Sequence, residues 1–331
     1  MASIKDVAKH AGVAISTVSK VLNNYPNISE ETRQKVNASI QELGFVPNAV
    51  AAALSSKHAG RIALLINLTD TAQTADEISL QYMLGALGKA RELGLDVVTV
   101  FFSMLQGKTV DEMVNYFRSQ SITGIIVCGL SKDDTTILKL VKKQIFKMVL
   151  IDVPIANENT SYVWINQAKA QYEVAKKTME LDTIPYTRIL YIAGKDNGHV
   201  TPERLKGIQK FAKDYKMKLN IQKGYFSEKK AREITMEYGE KVDMIVCASD
   251  LMAIGAMRAC MEMDIFRPVC GFDGITLMAY AGKQMNTVRQ NFAHIAEEAV
   301  AEMNNLMSGK TGHGIVLDYE IVRMEYKDIV K

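Results

Sequence analysis

From residue 61 onward the chain alternates short apolar runs with amphipathic ones, and this alternation restricts the fold more than any other feature. Apolar runs at 62–66, 96–102, 124–129, 148–152, 188–193, 244–248 and 268–272 have the length of buried strands. Between them, 78–93, 111–120, 135–143, 168–181, 203–215, 228–240 and 251–261 carry apolar residues at helical spacing. Such an order predicts parallel sheets with helices on both faces. The rhythm breaks once, at 153–164, where Pro154 is followed by a polar stretch. That break is expected to separate two α/β lobes. The first lobe should span approximately 61–160 plus a return segment near 292–318, the second approximately 163–290 plus a C-terminal segment.

The first 46 residues follow a different pattern. Ile4, Val7, Ala8 and Ala11 share one helical face, and Ser3 with Asp6 forms an S-x-x-D capping pattern. Gly12 supplies a stop. A second stretch places Val18, Val21 and Leu22 inward, leaving Ser16, Thr17, Ser19, Lys20 and Asn23 on a hydroxyl-rich polar face. Ser29, followed by Glu30 and Glu31, is a natural N-cap for a third helix with an apolar stripe at Val36, Ile40 and Leu43. Three short helices, the first two joined by a tight Gly-containing turn, predict a helix-turn-helix head over 1–46. A plain three-helix bundle used for protein contacts satisfies the same periodicity.

Charge separates these alternatives only in part. The formal net charge is +3, and residues 1–61 carry seven basic and four acidic side chains, so all of the excess lies in the first fifth of the chain. This is where a polyanionic partner would need it. Residues 47–60 form a connector in which Asn48 is a good N-cap and the alanines favour helix, but isolated helices shorter than about 12–15 residues are marginal in water.

Several chemistries lack their motifs. The four cysteines and five histidines are scattered, without C-x-x-C or H-E-x-x-H spacing, so neither a metal nor a disulfide framework is expected. The Gly-Lys at 194–195 lacks the upstream glycine of a phosphate loop, no G-x-G-x-x-G follows the first strand, and no G-x-S-x-G elbow occurs. No cofactor and no enzymatic activity are therefore expected. No apolar run reaches the ~18 residues of a membrane span, and the first residues lack a signal-peptide core, so a cytoplasmic protein without a membrane partner is expected.

The string IKDVAKHAGVAISTVSKVLNN, followed by ISEETRQKV, IQELGF and PNAVA, closely resembles the DNA-binding head of the LacI family of bacterial transcription regulators. The likeness covers residues 3 to about 56 without a gap. It implies that Ile15, Ser16 and Lys20 read base edges, with Lys20 able to donate to guanine and Ile15 limited to apolar contact. Thr17, Ser19 and Asn23 then fall to phosphates. The connector resembles the family's hinge helix, which implies that Asn48 begins it and that Leu54 wedges into the minor groove.

The core resembles the family's two-lobed, periplasmic-binding-protein-like effector domain. Gly271-Phe272-Asp273 matches its G-F/Y-D, and Arg204-Leu205-Lys206-Gly207 its effector-facing arginine. Phe226 falls at the place of an aromatic platform, and Asp152 ends an apolar run that points to the same cleft. Ser249 replaces a frequent asparagine. The family's I-D-N-x-x-G becomes Ile165-Asn166-Gln167-Ala168-Lys169-Ala170, and its N-P-F-F segment is absent. The resemblance implies an α/β protein: a three-helix helix-turn-helix head on a two-lobed core of doubly wound parallel sheets. It further implies a homodimeric repressor of carbohydrate-utilisation genes, with a sugar or sugar derivative between the lobes changing its affinity for double-stranded operator DNA. The remaining alternative is a cytoplasmic small-molecule-binding protein or enzyme on the same core, without a regulatory DNA role.

Overall fold

A computed structural model describes residues 3–22, 28–45, 60–68, 73–180 and 185–324. The chain divides into two compact units, 1–59 and 60–331.

In the first unit α1 (Ile4–Ala11), α2 (Ile15–Leu22) and α3 (Glu30–Glu42) pack around Val7, Ala8, Val18, Val21 and Val36. Local chemistry sets their ends. The Ser3 hydroxyl accepts from the Asp6 amide, and the Asp6 carboxylate accepts from the Ser3 amide at 2.8 Å. Gly12 closes α1 with a left-handed φ of 65°, a conformation that a side chain would penalise. Ser29 caps α3 by accepting from the Thr32 amide. Asn23 lies outside the described residues, as do Asn48, Leu54 and the expected hinge helix.

The second unit holds two six-stranded sheets. The first contains β1 (Arg61–Ile66), β2 (Asp96–Phe101), β3 (Ile122–Cys128), β4 (Lys147–Ile151) and β5 (Thr160–Ile165), joined at the edge by β11 (Gly314–Leu317). Their order is β11-β5-β4-β3-β1-β2, all parallel. The second contains β6 (Arg188–Ala193), β7 (Lys218–Lys223), β8 (Met244–Cys247), β9 (Val269–Cys270), β10 (Asn286–Arg289) and β12 (Glu320–Arg323), in the order β12-β10-β9-β8-β6-β7. Only β12 runs antiparallel to its neighbour.

Buried parallel strands read as continuous apolar runs because both faces are covered. In β1, Ile62, Leu64 and Ile66 meet α4 (Gln73–Leu93) and α11 (Phe292–Met307), whereas Ala63 and Leu65 meet α5 (Val110–Ser119) and α6 (Thr135–Lys143). The second sheet is covered by α7 (Gln167–Met179), α8 (Val200–Asp214), α9 (Glu228–Tyr238) and α10 (Asp250–Glu262) around one apolar core.

The chain passes between the lobes three times: between β5 and α7, between β10 and α11, and between β11 and β12. The first crossing corrects the boundary expected from the break at 153–164. That stretch is the loop joining β4 to β5 together with most of β5 itself, all within one sheet, and the lobe changes at Asn166. Pro154 and the asparagines signalled a turn, but a turn signal cannot tell a return to the same sheet from a change of lobe.

Candidate functional site

The polar face of α2 is presented as its apolar stripe requires. Val18 and Val21 are buried, while Ile15, Ser16 and Lys20 are exposed and Thr17 and Ser19 half-buried. Ile15, 45% exposed, is a large apolar side chain directed away from the head's core. The helix therefore offers a cation, hydroxyls and one aliphatic contact, a set suited to base edges and phosphates in a major groove.

The second cluster lies beyond the carboxyl ends of the strands, where open parallel sheets receive ligands. Asp152 follows β4 with a left-handed φ of 62°, and its Oδ1 accepts from Gln167 Nε2 at 3.0 Å. Gln167 is buried at the start of α7, and its Oε1 accepts from Arg204 Nε at 2.8 Å. Arg204 is itself buried on α8, one turn past the helix start. Its NH1 donates to the Ala248 carbonyl at 2.5 Å and reaches Asp273 Oδ1 at 3.4 Å, and its guanidinium stacks on the Phe272 ring at 3.7 Å. Gln290, at the second crossing, donates from Nε2 to the same Asp273 oxygen at 3.2 Å. A continuous relay, Asp152–Gln167–Arg204–Asp273–Gln290, thus joins the two lobes and two of the crossings.

Electrostatics tune this relay. Burial pushes the Asp152 carboxyl up to about 6, opposed by Arg204 and by the Gln167 hydrogen bond. Asp273 is raised by burial and by the neighbouring Asp250 and Asp152, with Arg204 opposing. Burial also raises Asp250, although Thr287, Ile275 and Gly274 all donate to its carboxylate. Those bonds place Asp250 behind the 274–275 turn, where it holds Asp273 in position. Three carboxylates surround one guanidinium, so the cleft carries an excess of acceptors. Among the described residues no donor reaches Asp152 Oδ2 or Asp273 Oδ2, which suits a ligand bearing O–H or N–H groups.

The remaining expected residues stand at the margins. Phe226 follows Tyr225 in a turn where both have positive φ, and its ring lies against Gly194 at the end of β6, where a side chain would displace it. Ser249 is buried and spends its hydroxyl capping α10, accepting from the Met252 amide at 3.3 Å. Tyr82, on α4, is buried against Phe292, and the nearby Asp152 adds to burial in raising its phenol.

The lobes also touch outside the relay. On one side Ser131 bridges to Gly198, the Lys132 amide donates to the Asn197 carbonyl at 2.8 Å, and Asn197 Nδ2 donates to Asp133 at 2.7 Å. On the other side Glu77 accepts from the Thr276 amide and hydroxyl at 3.0 and 2.8 Å.

Residues 3–48 match the family model "Bacterial regulatory proteins, lacI family", and residues 81–311 match "Periplasmic binding protein domain". The HTH-type transcriptional regulator DegA of Bacillus subtilis is 29% identical, with 97% of this chain and 96% of that protein covered. The HTH-type transcriptional repressor PurR of Aliivibrio salmonicida is 25% identical over 91% of this chain and 90% of its own length. Among solved structures, the Lac repressor bound to ONPG in the repressed state has a TM-score of 0.79 at 23% identity, covering 98% of this chain and 99% of that one. The fold is the same at that distance. Head and core together place the chain in the LacI family of bacterial regulatory proteins, as a DNA-binding transcriptional regulator with a small-molecule effector domain.

Proposed function

We propose that the chain is a cytoplasmic homodimeric repressor of carbohydrate-utilisation genes, without enzymatic activity, whose operator affinity changes when a sugar or sugar derivative occupies the cleft. The observation that carries the ligand half is the relay: the acceptors of Asp152 and Asp273 face each other across two lobes, so one polyhydroxylated molecule can be held by both. Arg204 supplies the donor and Phe226 the apolar edge. Ser249 contributes less than its position promises, because its hydroxyl already caps α10. A solved relative described as a CelR–cellobiose complex, with a TM-score of 0.70, gives the carbohydrate assignment precedent in the same fold.

For DNA, Ile15, Ser16 and Lys20 read bases, and Thr17, Ser19 and Asn23 bond phosphates. Asn48 and Leu54 belong to a connector over 47–60 that orders on the operator, with the head over 1–46 and the effector core over 61–331. Two copies pair through α4, where Leu80, Leu84 and Leu87 recur at i, i+4 and i+7 and are 52%, 60% and 50% exposed. A two-fold dimer reads two matching half-sites.

A thermal-shift screen of a sugar panel, run with and without operator DNA, tests the reading. A ligand at 100 times its Kd should add about 2.7 kcal/mol of stability. By linkage, DNA should alter that ligand's affinity by the factor by which the ligand alters DNA binding. Shifts that DNA leaves unchanged would favour a ligand-binding protein without a regulatory role.

A further inference from the structure

Beside the relay, the described residues line a cavity of about 600 Å³ that is partly open to solvent. This lies within the size range of small-molecule sites. Its wall includes Glu77 and Gln81 of α4, Thr276 of the second lobe, Arg289 and Gln290 at the second crossing, and Asp318 at the third. Of the residues that build the relay, Gln290 alone lines it.

The lining has a definite electrostatic character. Three carboxylates, those of Glu77, Asp318 and Glu320, face one guanidinium, that of Arg289. Glu320 lies 3.7 Å from that guanidinium, and Glu77 is taken by Thr276 and Gln81. Asp318 receives no hydrogen bond or ion pair from a described residue. Gln290 is 4% exposed, and its Oε1 has no donor although its Nε2 is bonded to Asp273. A buried acceptor without a donor is costly, and a ligand that donates to it removes the penalty. An anion would be repelled here, and a neutral polyol would leave the excess negative charge unbalanced.

We propose that this cavity is a second ligand site, for a small organic ammonium compound carrying several N–H donors, and that filling it holds the lobes closed. Its occupant touches α4 of the first lobe, the turn at 274–276 of the second and two of the crossings, so opening the lobes breaks its contacts. Through Gln290 it also fixes the Asp273 carboxylate, which couples the cavity to the cleft. The ligand could be a linear diamine or an amino sugar, since both present the same ammonium chemistry.

Isothermal titration of the full chain at low salt with 1,4-diaminobutane, and separately with glucosamine, tests the assignment. At least one amine should bind saturably, and which of the two binds identifies the source. Asp318→Asn, at an exposed position, should weaken that binding at least about tenfold, because a charge-assisted contact is lost. Glu320→Gln should weaken it in the same direction, and Asp152→Asn, outside the cavity wall, should weaken it less than Asp318→Asn does. Two outcomes would overturn the proposal. One is an absence of saturable heat from either amine up to about 10 mM, where even a millimolar Kd would show. The other is binding that Asp152→Asn abolishes and Asp318→Asn spares, which would place the amine in the cleft.

Discussion

Lys20 is exposed on a helix whose opposite face is locked into the head by Val18 and Val21, so its side chain can be removed without disturbing the core. Lys20→Ala should cost ~1–3 kcal/mol of binding to the specific site while leaving binding to random DNA nearly unchanged. Fluorescence anisotropy on both duplexes checks this, and equal losses would reduce Lys20 to a phosphate contact. In the core, the residues that sequence could nominate were those in motifs, at strand ends or at places matched by the resemblance, namely Asp152, Arg204, Phe226, Ser249 and Asp273. Gln167 was visible only as a departure from the family's pattern, although it is the link between Asp152 and Arg204. Gln290 gave no signal, because it follows a four-residue strand in which Asn286 and Thr287 are buried polar residues. Asp250 follows a strand end, but its role depends on the turn at 274–275, which is distant in sequence.

At the scale of elements, the first and third helices of the head were legible because each carries its own cap, and caps are local chemistry, while the second showed through its apolar spacing. Strands β5, β7 and β10 were not. β7 is a half-exposed edge strand with lysine at both ends, and its apolar alternation is too short to stand out. The neighbouring strands β11 and β12 belong to different sheets, a division that hydropathy cannot express. Packing between α4 and α11 also depends on one residue that periodicity ignores. A side chain at Gly85 would overlap the Ala293 carbonyl. Gly→Ala in a helix interior ordinarily stabilises by about 0.5–1 kcal/mol. Here overpacking against backbone should outweigh that gain, and Gly85→Ala should destabilise the core by ~1–3 kcal/mol. Urea unfolding of the two proteins measures the difference, and a more stable variant would mean that the helices do not pack this closely.

For the whole molecule, the leucine face of α4 is the feature that a single copy leaves unexplained. Leu84, 60% exposed at its centre, should sit in the seam of the proposed dimer. Leu84→Asp should shift the protein toward monomer by weakening association by ~2 kcal/mol or more, the range of a central interface residue. Sedimentation at micromolar concentration reads the shift, and an unchanged dimer would place the seam elsewhere. Loss of the dimer should also lower operator affinity, since one head then reads one half-site.

The account rests on coupling between an exposed recognition helix and an acidic cleft in a separate unit of the chain. The direct test is to recover a preferred duplex from a random oligonucleotide pool and titrate it with wild type and with Asp273→Asn, each with and without the sugar that stabilises the protein. The account predicts that the sugar changes wild-type affinity by ~5- to 150-fold, the usual span of such coupling, and leaves the variant's affinity unmoved. A wild type that selects no sequence, or a variant that responds as fully as wild type, would contradict it.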